Sequence, residues 1–204
     1  MREIDDIARL RRSFLGYLTL QRGLSENTRE AYGMDIDKLF DWLATGREDG
    51  PLPLRQVEYA TLQEFMAQVH DLGIAVRSQA RLVSGIKQFF HYLRVEGYID
   101  SDPSELLEVP RIGRHLPEVL SVEEIDSMIA AIDLSTPEGI RNRAIIETLY
   151  GCGLRVSELV NLEVSKVYLQ EQYLIVNGKG NKQRVVPMSE VAIDRILEYM
   201  REAR

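Results

Sequence analysis

The sequence predicts a mainly α protein with a small β-hairpin: a four-helix N-terminal unit followed by an α+β unit. Three observations carry that expectation. Apolar residues recur at helical spacing in four segments before residue 96. A stretch containing Pro103, Pro110 and Pro117 then interrupts the pattern. Beyond it, near Tyr173, the period changes from helical to alternating.

The first helix is read from Ile4 to about Tyr17, with Ile7, Leu10, Phe14, Leu15 and Leu18 at helical spacing. After the break at Gly23, Ser25-Glu26-Asn27-Thr28 offers N-cap chemistry for a second helix. Its apolar face runs through Ala31, Tyr32, Ile36, Leu39, Phe40 and Leu43. Gly46 to Pro53 reads as a loop. Thr61 is expected to open a third helix through Leu62, Phe65, Met66 and Val69, stopped by Gly73. The fourth, from about Ala75 to Val95, has Leu82, Val83, Ile86, Phe89, Phe90 and Leu93 on one side. Arg77, Arg81, Ser84, Lys87, Gln88, His91 and Arg94 fall on the other, and the whole span lacks Asp and Glu. Such a stripe is either a solvated face or a surface for phosphates. Local exclusion of acid from an acidic chain strengthens the phosphate reading.

Ser101 to Pro117 has little apolar periodicity and suits an extended, semi-stiff connection. The domains are therefore placed at residues 1–107 and 118–204, with a linker at 108–117. Leu120-Ser121-Val122-Glu123-Glu124 starts the second unit, a cap followed by early acids that favour a helix N-terminus. Helical patterns follow from Pro137 to Tyr150 and from Arg155 to Leu162. Tyr173 to Asn177 and Gln183 to Pro187 read as strands joined by Gly178-Lys179-Gly180-Asn181-Lys182. Val191 to Met200 returns to helix.

At 204 residues, 45% hydrophobic and 28% charged, the composition is that of an ordinary soluble globular protein. One cysteine, Cys152, excludes an internal disulfide framework and suits a reducing compartment. No apolar run reaches membrane-spanning length, and the acidic start Met1-Arg2-Glu3-Ile4-Asp5-Asp6 is unlike a signal peptide, so the cytoplasm is the expected location. The net charge of −7 argues mildly against nucleic acid. Distribution matters more, and Asp35, Asp37 and Glu123-Glu124 could all lie on faces away from a ligand.

Two cations stand out. Arg155 follows Gly153-Leu154, where glycine allows a sharp turn, and a guanidinium matches two phosphate oxygens with parallel donors. The competing reading is a plain salt bridge to Glu158, which is better suited to steadying the arginine than to chemistry of its own. Lys179 sits between two glycines at the hairpin tip, either as an ordinary turn lysine or as an ammonium able to protonate a departing oxygen. Lys182 and Arg184 make the same hairpin basic. Gly178-Lys179-Gly180 lacks the spacing, the Ser or Thr and the following helix of a P-loop. His91-Tyr92-Leu93-Arg94 reads as a surface string, while His70 and His115 lack partners at metal-ligand spacing. Cys152 has no downstream histidine and is expected to be a small semi-buried side chain. Fixed cations without a metal-ligand cluster suit a site that handles a phosphodiester without a metal.

Taken together, these strings resemble the tyrosine recombinases (phage integrase family) of the Xer type over nearly the whole chain. Gly23-Leu24-Ser25-Glu26-Asn27-Thr28 with Ala31-Tyr32 and Asp35 resembles the family's helical, SAM-like core-binding domain, as does Lys87-Gln88-Phe89-Phe90-His91-Tyr92-Leu93 with Gly97-Tyr98-Ile99 and Asp102-Pro103. Leu116-Pro117 and Leu120-Ser121-Val122-Glu123-Glu124 resemble the entry to its catalytic domain. Gly153-Leu154-Arg155-Val156-Ser157-Glu158-Leu159 and Gly178-Lys179-Gly180-Asn181-Lys182 are the most specific matches.

The resemblance implies site-specific recombination by recombinase subunits assembled as homo- or hetero-oligomers on duplex DNA. It implies no membrane, no small-molecule substrate, no cofactor and no metal. A tyrosine attacks the scissile phosphate to give a 3′-phosphotyrosyl link; Arg155 would stabilise the developing charge and Lys179 would protonate the 5′-oxygen. Asn27, Thr28, Arg77, Arg81, Lys87, Arg94, Lys182 and Arg184 would touch DNA, with Glu158 in support. The family's H-x-x-R, further His or Trp, and nucleophilic tyrosine have no match after the hairpin, and Tyr173 and Tyr199 sit in the wrong contexts. The expectation is a recombinase truncated within its catalytic domain, binding DNA without cutting it. The alternatives are a naturally short DNA-binding protein of the same ancestry and a helical module that meets an acidic partner.

Overall fold

The computed structural model describes residues 6–113, 118–178, 180 and 182–204. The chain divides into two compact units, residues 1–115 and 116–204.

The first unit contains four long helices: α1 (Ile7–Leu20), α2 (Glu26–Asp41), α3 (Tyr59–Asp71) and α4 (Val76–Val95). Polar caps set the starts of the first two. Asp6 accepts the Arg9 N–H at 2.8 Å and Ser25 Oγ accepts the Thr28 N–H at 3.4 Å. A turn of π-helix, Trp42–Gly46, closes α2. Only glycine fits at its end, because a Cβ on Gly46 would lie 2.6 Å from the Trp42 ring. Helix α3 begins earlier than Thr61. Thr61 caps from inside the first turn, its hydroxyl accepting the Glu58 N–H at 3.3 Å.

Helix α4 is the spine of this unit. Leu82, Val83, Ile86, Phe89, Phe90 and Leu93 are buried, as their spacing predicts, and Ala80 and Tyr92 join them. The Phe89 ring meets Phe14 of α1 at 5.3 Å and Phe40 of α2 at 5.4 Å, both edge to face. Gly85 brings α2 close, since a Cβ there would stand 3.3 Å from Asp35. Ser101 onward is not extended throughout. Asp102 Oδ1 accepts from the Ser104 N–H and hydroxyl at 2.8 and 2.6 Å, turning the chain so that Ser104 and Leu107 bury against this unit.

The second unit contains α5 (Val122–Ala130), α6 (Pro137–Cys152), the single turn α7 (Val156–Val160) and α8 (Glu190–Glu202) around an antiparallel sheet. Its strands β1 (Val167–Tyr168), β2 (Tyr173–Asn177) and β3 (Gln183–Pro187) lie in sequence order. The two-residue β1 is too short to show an alternating pattern, so the sequence predicts only the hairpin. Asn177 pairs with Gln183 at the hairpin root, which puts Leu174 opposite Val186. Leu174, Val176 and Val186 point into a core completed by Cys152, Met188, Ala192 and Ile193. Helix α6 packs closely on the start of α8: a Cβ on Gly151 would lie 2.7 Å from Ser189 Oγ. Beside it an apolar groove of about 260 Å³ is lined by Ile145, Leu159, Leu162, Ile196 and Tyr199 among others. No helix of the described residues is long and apolar enough to cross a membrane.

Candidate phosphate-binding cluster and basic helix

The turn that carries Arg155 is built by glycine. Gly153 adopts the left-handed conformation at φ 58°, and the Leu154 N–H reaches back to the Leu149 carbonyl at 3.1 Å. That is a Schellman ending for α6, and it delivers Arg155 directly to the N-cap of α7. Glu158, one turn on, closes the arrangement. Its Oε2 accepts the Arg155 backbone N–H at 2.8 Å, and its Oε1 accepts from Arg155 Nη1 at 2.9 Å. The same Oε2 takes a second donor, Arg184 Nη2, at 2.7 Å.

Exposure is graded across this cluster: the Glu158 side chain is 3% exposed, Arg184 42% and Arg155 71%. Two guanidiniums facing one carboxylate leave one net positive charge, with the acid beneath and Arg155 outermost. The Arg155 backbone hydrogen bond, followed by that from Arg184, holds the Glu158 carboxyl down at about 2, so it stays ionised under ordinary conditions. The salt-bridge and phosphate readings of Arg155 are therefore compatible. One nitrogen is committed to Glu158 while most of the guanidinium remains open.

The hairpin root lies against this cluster. The Gly178 N–H donates to the Lys182 carbonyl at 2.7 Å, and a Cβ on Gly178 would be 3.9 Å from Glu158 Oε1. Lys182 is exposed. Lys179 lies outside the described residues. Cys152 is buried and its thiol pKa is pushed up by that burial. Among the described residues no group of three His, Cys, Asp or Glu could hold a metal ion.

In the first unit the basic stripe is less uniform than its sequence. Arg77 and Arg94 are exposed on α4. Lys87 Nζ donates to the Glu105 carbonyl at 3.2 Å, bracing the turn after α4. Arg81 Nη1 donates to Asp35 Oδ2 at 2.6 Å and to the Ala31 carbonyl at 2.9 Å, although 39% of its side chain remains exposed. Asp35 is not on an outer face: it is fully buried, and its other oxygen has no partner among the described residues. Burial raises its pKa against the lowering pull of Arg81. Asn27 is exposed in the first turn of α2, and Thr28 Oγ1 lies 2.9 Å from Ser25 Oγ.

For two of these residues the sequence pattern gives the face, though not the partner. Arg184 pairs with Val176 and has the same parity as buried Val186, so alternation alone puts it on the inner face of the sheet. Asp35 lies four residues after Ala31, one turn along the apolar face of α2.

Comparison with known proteins agrees with this architecture. Residues 12–97 match the model of the phage integrase N-terminal SAM-like domain, and residues 118–204 match that of the phage integrase family. Tyrosine recombinase XerD of Pseudomonas aeruginosa is 40% identical over 191 residues, covering 94% of this chain and 63% of that protein. XerD of Proteus mirabilis is 39% identical over 191 residues, covering 94% and 60%. The chain thus spans about three-fifths of the length of these relatives. Among solved structures, a lambda integrase tetramer bound to a Holliday junction aligns with TM-score 0.71 and 18% identity, over 96% of this chain and 56% of that one. The Tn1549 transposon integrase in complex with circular intermediate DNA aligns with TM-score 0.64 and 14% identity, over 96% and 65%.

Proposed function

Because the chain belongs to the phage integrase family of tyrosine recombinases, we propose that it binds duplex DNA and supplies one part of a site-specific recombination centre. The single observation that carries this reading is the Arg155–Glu158–Arg184 cluster, a fixed, outward-facing guanidinium whose geometry is set by a buried, ionised carboxylate. Such a group can grip two non-bridging oxygens of a phosphodiester and stabilise charge that grows there during displacement. XerD relatives bear the name tyrosine recombinase, and the integrase neighbours are complexes with DNA; both support the same assignment.

In the complete reaction a tyrosine hydroxyl attacks the scissile phosphorus. The P–O bond to the 5′-oxygen breaks, and a 3′-phosphotyrosyl link stores the bond energy for rejoining. Arg155 is assigned to the phosphate oxygens and Lys179 to protonating the departing 5′-oxygen. Asn27, Thr28, Arg77, Arg81, Lys87, Arg94 and Lys182 are assigned to the surrounding DNA, with recombinase subunits assembled on it in the cytoplasm. Within these 204 residues the activity expected is binding. Tyr173 is stacked on Tyr168 at 4.6 Å and Tyr199 lines the apolar groove.

Duplex binding titrated against salt, with a trapped-cleavage assay on a nicked recombination-type site, tests this reading. Neutralising about four phosphates gives a log–log salt slope between about −3 and −4. Salt-sensitive binding without a covalent adduct is the expected result. Salt-insensitive binding, or none, would defeat it; an adduct would transfer the nucleophile's role to a tyrosine of this chain.

A further inference from the structure

We infer that Arg184 is a positioning residue for Arg155, acting through Glu158, and not an independent contact to DNA. The inference rests on the proposed role of Arg155 as a phosphate-binding group. Arg155 is anchored to Glu158 twice, by its backbone N–H and by Nη1, so the orientation of that carboxylate sets the orientation of the guanidinium. The carboxylate is in turn fixed from the other side. Arg184 Nη2 closes on Oε2 at 2.7 Å, the shortest of the three bonds, from a strand that belongs to a different element.

Helix α7 is a single turn and cannot hold its own geometry without support from its neighbours. Strand β3 is held to β2 along five paired positions and carries Val186 into the core, so it is the stiffer of the two bodies. The Glu158–Arg184 bond transfers that stiffness to the Arg155 turn. Without Arg184, Oε2 keeps one donor, the carboxylate can swing, and Arg155 would spend its donors following it. Arg184 is placed for this task by strand parity: its neighbours Gln183 and Val185 point to the opposite face.

A double-mutant cycle on the 204-residue chain separates the two roles. Duplex affinity is measured for the parent, R155A, R184Q and R155A/R184Q at several salt concentrations. If Arg184 acts through Arg155, each single variant weakens binding by about tenfold and the double variant weakens it no further. The salt slope then becomes shallower by about 0.9 in all three variants alike. Additive losses, with the slope falling by about 1.8 in the double variant, would mean that Arg184 grips a phosphate of its own and would overturn the inference. R184Q binding like the parent would overturn it too.

A second readout does not involve DNA. In R184Q the Arg155 Nε–H resonance is expected to shift and the Glu158 carboxyl to titrate closer to its ordinary value; an unchanged Arg155 resonance would overturn the inference. This readout still decides the coupling if the parent chain fails to bind duplex, a result that would defeat the proposed function. Should R184Q unfold the second unit, the cycle is repeated with R184K, where strict additivity again counts against the coupling.

Discussion

Glu158 is the residue on which the second unit's chemistry and stability meet. Its carboxyl is held near 2, below the ordinary 4.5, so the folded state binds this proton less readily than the unfolded chain. The stabilisation is therefore fully present above about 4.5 and is lost as pH falls towards 2. Thermal unfolding followed across that window should show a steep decline in the parent and a shallower one in Glu158→Gln. The difference isolates Glu158 from Glu123, Asp133, Glu163 and Glu198, whose values are also lowered in this unit. Gly139 offers a purely steric counterpart. A Cβ there would fall 1.8 Å from the Asp133 carbonyl oxygen, which cannot move without unseating the Thr136 cap of α6. Gly139→Ala is expected to cost about 2 kcal/mol or more, measured by denaturant unfolding of the second unit.

Between elements, the Asp35–Arg81 pair locks α2 to α4 across the gap that Gly85 leaves. The two sides of the pair are not equivalent. Asp35 is fully buried with one oxygen unpartnered, whereas Arg81 is partly solvated. Arg81→Ala leaves a buried carboxylate uncompensated and should destabilise the first unit by about 3 kcal/mol, the low end for such breaks because of that solvation. Asp35→Asn keeps an acceptor for Arg81 while removing the buried charge. Burial raises the Asp35 pKa in the fold, so its ionisation opposes folding as pH rises above 3.8. The asparagine variant is accordingly expected to be at least as stable as the parent at neutral pH, and chemical denaturation of both variants at pH 7 provides the comparison.

Across the whole molecule the two units differ in how much they bury. The first packs Phe14, Phe40, Trp42, Phe65, Phe89, Phe90, Tyr92 and Tyr98 into one core, with α4 touched from several sides. The second has a core of Leu174, Val176, Val186, Met188, Ala192, Ile193 and Cys152. Apolar burial is the main favourable term in folding, so the second unit should open first. Limited proteolysis under native conditions is expected to cut within residues 118–204 while the first unit persists; equal resistance of both halves would contradict this account.

The sequence alone determined the two-unit architecture, the long helices and the hairpin, and it offered Arg155 and Glu158 as a candidate pair. These rest on local rules: helical and alternating periods, caps such as Ser25 and Ser121, and the left-handed turn at Gly153. Tertiary structure decided the rest, because burial and pairing depend on what a side chain meets across space. Only the fold turns Arg184 from one basic residue among several into the second anchor of Glu158, 26 residues away. Only the fold sinks Asp35 beneath Arg81, which lies 46 residues along the chain and on a different helix. Periodicity places a residue on a face; the partner waiting on that face is set by the packing of elements that the chain brings together from a distance.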